Sequence, residues 1–373
     1  MRIGISCYPT WGGSGVVATE LAMALAAGGD EVHVISYAMP SRLVLVDPLL
    51  HFHEVVVPHY PLFEYPPYSL ALATKIVEVA RHHQLDVVHV HYAVPNAVSA
   101  VLARQILEPQ EIKVVTTLHG TDITLVGNDP NYLETTRFGI VRSDRVTAVS
   151  EALARTTREQ FDIEDPIHVV PNFVDPARFE RAEGHDGARR WAKPEEKILV
   201  HISNFRPVKR VLDVVEVFER VRREMPARLL LVGDGPERSK VERRCRQCDI
   251  CDDITFVGNL ARVEEILTGA DLFVLPSETE SFGLSALEAM ACGVPVITTR
   301  VGGLPEVVRE GRDGRLFPVG DVDAMGAAAI ELLGDQELRT EMSRSARARA
   351  REDFREDRIV ARYREIYELA LAD

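Results

Sequence analysis

Short apolar runs alternate with stretches of helical spacing along most of the chain, and their order predicts strand, helix, strand in repetition. Residues 2–7, 31–36, 52–57, 86–92, 113–118, 145–150 and 167–170 read as buried strands. The proline- and aromatic-rich segment 60–68 reads as a loop, and the stretch 70–82 has the spacing of an amphipathic helix. Pro171-Asn172-Phe173-Val174-Asp175-Pro176 breaks the pattern, and residues 183–194 are polar and irregular. Strands then resume at 197–203, 228–232, 254–258 and 271–275, and another begins at Val294. Such alternation implies parallel βαβ units, hence an α/β protein of two domains, residues 1–172 and 173–354. The segment 352–372 carries an apolar stripe at Phe354, Ile359, Tyr363, Ile366, Tyr367 and Leu371 and predicts one closing helix.

Chemistry concentrates where predicted strands end. After the run Leu272-Phe273-Val274-Leu275 comes P-S-E-T-E-S-F-G-L-S-A-L-E-A-M-A-C-G-V-P-V, a polar hinge entering a helix. Glu280 and Glu288 bracket that loop and helix. With about 1.5 Å rise per residue, Glu288 lies roughly 7 Å deeper than a helix start near Gly283, too far to form one acid/base pair with Glu280. Small residues at 281, 283 and 285 leave the first helical N–H groups uncovered, which suits a phosphate or sugar oxygen. The plain alternative is a capped helix with two solvated carboxylates.

Other strand ends carry further candidates. Gly12-Gly13-Ser14-Gly15 allows close backbone approach at a helix start, although glycines are common in such turns. Tyr92 and Asn96 in H-Y-A-V-P-N sit where a strand gives way to a helix, and both are expected to face the crevice. His119 in H-G-T-D ends a strand, a position presented to the crevice rather than buried in the sheet. Arg206 and Lys209 lie three residues apart in N-F-R-P-V-K-R; they can aim two cations at one diphosphate, or form an ordinary solvated helix start. Arg137 is either an exposed helical arginine or a bidentate partner for a carboxylate.

The frame E-x7-E from Glu280 to Glu288, with S-F-G-L inside it and E-A-M-A-x-G-x-P-V after, resembles the retaining glycosyltransferases of family 4. The resemblance extends over nearly the whole chain. It implies a GT-B fold: two Rossmann-like domains facing across a cleft, with the C-terminal helix 355–373 crossing back to the first. It also implies that Glu280 contacts the donor sugar, that Glu288 holds the nucleotide ribose, and that the backbone of Phe282, Gly283 and Leu284 meets sugar and diphosphate. Gly13, Ser14 and Gly15 would lie over the diphosphate and beside the acceptor, and the backbone at Asn259 and Leu260 would receive the uracil. His119 would approach the donor sugar, with a hydrogen-bonding role ahead of acid/base work, and Thr121 the acceptor. The family's usual arginine falls where this chain has Asn204, so Lys209 carries over more directly than Arg206.

Within the family, G-G-S-G-V-V-A-T-E-L, H-Y-A-V-P-N, S-N-F-R-P-V-K-R and the stretch around Arg137 are similar to a member that joins N-acetylglucosamine to L-malate. That implies UDP-N-acetylglucosamine as donor, L-malate as acceptor with Arg137 on its carboxylate, and compatibility with a homodimer. Inositol phosphate, another sugar or a lipid as acceptor, an epimerase, and a binding module without catalysis stay open as rivals.

A formal net charge of −14 leaves no basic excess for nucleic acid, so an anionic ligand needs a local cationic pocket such as Arg206 and Lys209. No signal-peptide pattern or membrane-length apolar run is present, which gives a cytoplasmic expectation. Five cysteines argue against a disulfide framework; Cys245, Cys248 and Cys251 are expected as reduced thiols, a metal site being the lesser alternative. His89 and His91 in H-V-H fit packed histidines better than a metal pair, because no third ligand accompanies them. Asp321 and Asp323 form a D-x-D that fits a helix cap better than a cation site. No cofactor and no metal requirement are expected.

Overall fold

The computed structural model describes residues 1–10, 12–59, 61–179 and 187–372; Trp11 of the first glycine-rich turn, Tyr60 of the aromatic loop, residues 180–186 at the polar break and Asp373 lie outside the described residues. The chain divides into two units, Met1–Pro171 with Asp357–Asp373, and Asn172–Glu356.

The first unit is built on a parallel sheet of β1 (Arg2–Ser6), β2 (Glu31–Ser36), β3 (Leu50–Glu54), β4 (Val87–His91), β5 (Lys113–Leu118), β6 (Arg145–Ala148) and β7 (Ile167–Val169). Its order is β3-β2-β1-β4-β5-β6-β7, so the chain reverses direction across the sheet between β1 and β4. Ile3, Ile5, Val88, Val90, Val114 and Val115 are fully buried. Burial on both faces is why these strands read as continuous apolar runs rather than as alternating ones. β3 sits two to three residues earlier than its apolar run suggests. Its register pairs His51 with His33 of β2, while Val56 is left 68% exposed.

The second unit repeats the plan with β8 (Lys197–Ile202), β9 (Ala227–Val232), β10 (Ile254–Gly258), β11 (Leu272–Leu275), β12 (Val296–Thr299) and β13 (Gly314–Phe317), in the order β10-β9-β8-β11-β12-β13. All of its strand pairs are parallel. Direction reverses between β8 and β11, which places both the Arg206 turn and the Glu280 loop at the carboxyl ends of adjacent strands, where open α/β sheets bind ligands.

The closing segment is two elements where the sequence predicts one. Helix Gln336–Asp353 ends, Phe354 turns into the second unit, and helix Glu356–Ala372 packs on the first. Tyr363 and Tyr367 are fully buried, Tyr367 Oη lies 2.8 Å from His89 Nδ1, and Arg364 holds Asp30 at 2.8 Å. Leu371 is 42% exposed, and Ala370 occupies the buried position instead.

Cys245 and Cys251 are joined by a disulfide, with Cys248 free, which corrects the expectation of three reduced thiols. Cys245 lies in the last turn of helix Arg238–Gln247, and the chain returns within six residues to bring Cys251 beside it. Asp321 caps helix Val322–Gly334 by accepting from the Ala324 N–H at 3.2 Å, while Asp323 of the D-x-D pairs with Arg220.

Candidate active site

In the second unit, Glu280 leaves β11 on a loop fixed from three directions. Lys209 Nζ stands 2.5 Å from Glu280 Oε2, and Ser277 Oγ lies 3.4 Å from the same oxygen. Both charged side chains are largely buried, at 19% and 15% exposure, so solvent screens this pair far less than a surface one. The Glu278 N–H donates to the Val208 carbonyl at 2.7 Å, stitching the glutamate loop to the lysine turn. Thr299 Oγ1, from the next strand, donates to the Ser277 carbonyl at 2.5 Å.

Glycine is obligatory at two contacts of this loop. A Cβ on Gly302 would lie 1.9 Å from the Glu280 carbonyl oxygen, and the Gly303 N–H donates to that same oxygen at 3.1 Å. Gly283, at φ +98°, turns the chain into helix Leu284–Ala291. Leu287 N makes the first intrahelical bond, to the Gly283 carbonyl at 3.0 Å, so the N–H groups of residues 284–286 precede the helical ladder and suit an anion. Phe282 is buried against Phe354, with ring centroids 5.7 Å apart, and contributes backbone rather than side chain. Glu288 is one helical turn further in and only 4% exposed.

The lysine turn has its own supports. His201 is buried; its Nδ1 donates to the Val274 carbonyl at 2.8 Å, its Nε2 lies 2.7 Å from Ser203 Oγ, and Ser203 Oγ accepts from the Phe205 N–H at 3.2 Å. Burial holds the His201 imidazole down to about 4, so it is a neutral bracket at physiological pH. Arg206 is exposed, and its guanidinium has no protein partner among the described residues. Asn259 is exposed and Leu260 half-buried just after Gly258 ends β10.

In the first unit, helix Ser14–Ala27 begins at Ser14 with Gly13 at φ 59°, and a Cβ on Gly15 would strike the Tyr8 carbonyl at 2.5 Å. His119 is half-buried, its Nε2 lying 2.7 Å from His91 Nδ1, and burial lowers it to about 3. The ring is therefore neutral near pH 7, which fits hydrogen bonding to a sugar and not service as a general acid. Tyr92, in a left-handed backbone at φ 88°, packs beside it at 5.4 Å between ring centroids. Thr121 is half-buried at the same turn. Arg137 is exposed, and its Nε donates to the Phe161 carbonyl at 2.9 Å; both terminal guanidinium nitrogens have no protein partner among the described residues.

Asn96 corrects an expectation. It does not face outward: it is fully buried, and Nδ2 donates to the His91 carbonyl at 2.8 Å. The chain folds back through Ala93–Ala97 before helix Val98–Leu107, and that turn draws residue 96 under the strand end.

A family model described as Glycosyltransferase Family 4 matches residues 11–178, and one described as Glycosyl transferases group 1 matches residues 188–349. Over 374 residues the chain is 49% identical to N-acetyl-alpha-D-glucosaminyl L-malate synthase of Bacillus anthracis, covering 100% of this chain and 98% of that one. The chain belongs to glycosyltransferase family 4. This glycosyltransferase is also 28% identical over 392 residues to D-inositol 3-phosphate glycosyltransferase of Xylanimonas cellulosilytica, with 95% and 91% coverage. Among solved structures, Anabaena HepE in complex with UDP and glucose matches with a TM-score of 0.86 at 19% identity, covering 99% of each chain. Sucrose-phosphate synthase from Thermosynechococcus elongatus matches at 0.80 and 22%, covering 100% of this chain and 99% of that one. The fold of the glycosyltransferase is GT-B.

Sequence reasoning about this glycosyltransferase missed Asp122. Its buried carboxylate accepts from the N–H groups of Ala93, His119 and Gly120 at 3.0, 3.2 and 2.8 Å, fastening the Tyr92 and His119 turns to each other. Its place in H-G-T-D was the available signal. Burial outweighs these hydrogen bonds and raises the carboxyl to about 6, above its unfolded value. A raised carboxyl stabilises the fold at low pH and loses that contribution as pH rises through about 6. Through Asp122 alone, the native chain is expected to lose about 1 kcal/mol between pH 5 and 7. Urea unfolding at both pH values, compared with Asp122→Asn, measures it; an identical pH dependence in the two proteins rejects the assignment.

Proposed function

We propose that this glycosyltransferase moves N-acetylglucosamine from UDP-N-acetylglucosamine to the hydroxyl of L-malate with retention of configuration, releasing UDP, as the first step of bacillithiol synthesis. The observation that carries the substrates is the 49% identity, along the full length, to the synthase named for that product. In this reading the second unit holds the donor. Glu280 meets the sugar, Glu288 the ribose, the backbone of Phe282, Gly283 and Leu284 the sugar and diphosphate, and the backbone at Asn259 and Leu260 the uracil. Arg206 and Lys209 neutralise the diphosphate. The first unit holds L-malate through Ser14, Tyr92, Thr121 and Arg137, and Gly13, Ser14 and Gly15 lie toward the diphosphate.

Retention is assigned to front-face transfer. As the bond from the sugar to the diphosphate breaks, the leaving oxygen takes the proton of the malate hydroxyl while that hydroxyl bonds to the same face of the sugar. No carboxylate beside Glu280 is needed as a nucleophile; Ser277 and Lys209 are the neighbours that share its Oε2. Charge growing on the diphosphate is met by Lys209, Arg206 and the N–H groups that begin helix Leu284–Ala291. Neutral His119 orients the sugar by a hydrogen bond. No metal is assigned to the reaction.

Incubation with UDP-N-acetylglucosamine and L-malate, with mass spectrometry and UDP release as readouts, tests the reading. An N-acetylglucosaminyl malate product that depends on malate is expected. UDP release only with inositol phosphate or another acceptor, or an epimerised sugar without acceptor, rejects it.

A further inference from the structure

The first unit carries a histidine cluster that glycosyl transfer does not use. β2 contributes His33, β3 contributes His51 and His53, and helix Tyr68–His83 ends in His83. The register His33↔His51 and Ile35↔His53 puts all three strand histidines on one sheet face, because side chains two apart on a strand share a face. Ring centroids of His33 lie 4.8 Å from His51, 5.2 Å from His53 and 4.1 Å from His83.

We infer that His33, His53 and His83 form a binding site for a divalent transition-metal ion of the zinc type, with Glu31 and His51 on the other side of the His33 ring. One ligand atom from each of the three histidines lies within 4.8 Å of the others, and Glu31, His33 and His51 meet the same limit. Zinc–nitrogen bonds of about 2.0–2.1 Å keep two imidazole nitrogens within roughly 4 Å of each other, so shifts of less than about 1 Å close the site. His33 is fully buried; its Nδ1 lies 2.9 Å from His53 Nε2, while its Nε2 has no hydrogen-bond partner and stands 3.4 Å from Glu31 Oε1. An ion on Nδ1 fixes the proton on Nε2, where a small shift lets it donate to the Glu31 carboxylate, the usual outer-shell partner of a metal-bound imidazole. Three imidazoles suit zinc, nickel and copper rather than magnesium or calcium.

Such an ion clamps the edge strand β3 and the end of helix Tyr68–His83 onto β2. Its role is structural. None of its ligands is assigned to donor or acceptor.

The full chain, stripped with chelator and equilibrated with zinc, is expected to retain one ion per chain and to melt at a higher temperature than the stripped protein. His53→Gln combined with His83→Gln, both at half-buried positions, is expected to weaken zinc binding at least 100-fold and to abolish the rise in Tm. Equal zinc retention by the double variant, or none by the native chain at micromolar zinc, overturns the assignment. Cobalt titration of the native chain decides the matter even if the variant misfolds. A visible d–d band without thiolate charge transfer is expected, whereas a thiolate band or no band rejects the histidine site.

Discussion

Lys209→Ala is expected to lower kcat by about 10²- to 10³-fold while the protein stays folded, corresponding to about 3–4 kcal/mol of lost transition-state stabilisation. The lysine has two tasks. It compensates the largely buried Glu280 carboxylate at 2.5 Å, and it supplies positive charge to the leaving diphosphate. Removing it leaves a carboxylate without its counter-charge exactly where the donor's own negative charge must enter, so KM for the donor is expected to rise as well. Glu280→Gln and the double variant separate the two tasks. If Lys209 acts only by holding Glu280, the double variant will be no slower than Glu280→Gln. A further loss of about tenfold or more is expected, because the leaving group still lacks its cation. A kcat near normal in Lys209→Ala would remove that residue from the mechanism.

The second large effect is expected from Gly302→Ala, a change of one methyl group at a residue that touches no substrate in the proposed reaction. The new Cβ would stand 1.9 Å from the Glu280 carbonyl oxygen and 3.0 Å from its carbon, on a backbone at φ +50°. Backbone cannot step aside as a flexible side chain can, so the glutamate loop must move. A loss of about 2–4 kcal/mol in stability and a fall of about 10²-fold or more in kcat/KM are expected. Gly311→Ala is the control: its φ is also positive, at +72°, but the nearest atom is Arg315 Nη1 at 3.9 Å. That variant is expected to lose about 1 kcal/mol through strain alone and to keep its activity. If the two variants lose activity equally, the packing of the Gly302 turn does not hold Glu280 in place.

The strands were legible because parallel strands buried on both faces are written as apolar runs, and the E-x7-E loop was legible because its residues are contiguous. What escaped was pairing across distance. Lys209 and Glu280 are 71 positions apart, and only the adjacency of β8 and β11 brings their loops together. Nothing in the local sequence around Gly302-Gly303 says that this pair rests on the Glu280 carbonyl. The histidines offer the sharpest contrast. H-V-H drew attention as a local pair, yet His89 is satisfied by Tyr367 and Thr117, and His91 meets His119. The cluster of His33, His53 and His83 is assembled from two strands and a helix end, so no short window contains it. Asn96 escaped for a related reason: a turn can be located from its proline, but the face on which a side chain finishes depends on how the backbone folds through it.

The last helix has a consequence for synthesis. Residues 357–373 complete the first unit, yet every residue of the second precedes them. As the chain leaves the ribosome, the second unit has all of its strands before the first has the Tyr363 and Tyr367 side chains that its buried core requires. The usual order, in which the N-terminal domain finishes first, is thus inverted here. A nascent chain stalled just before Asp357 would present a protease-resistant second unit beside a first unit still open to cleavage.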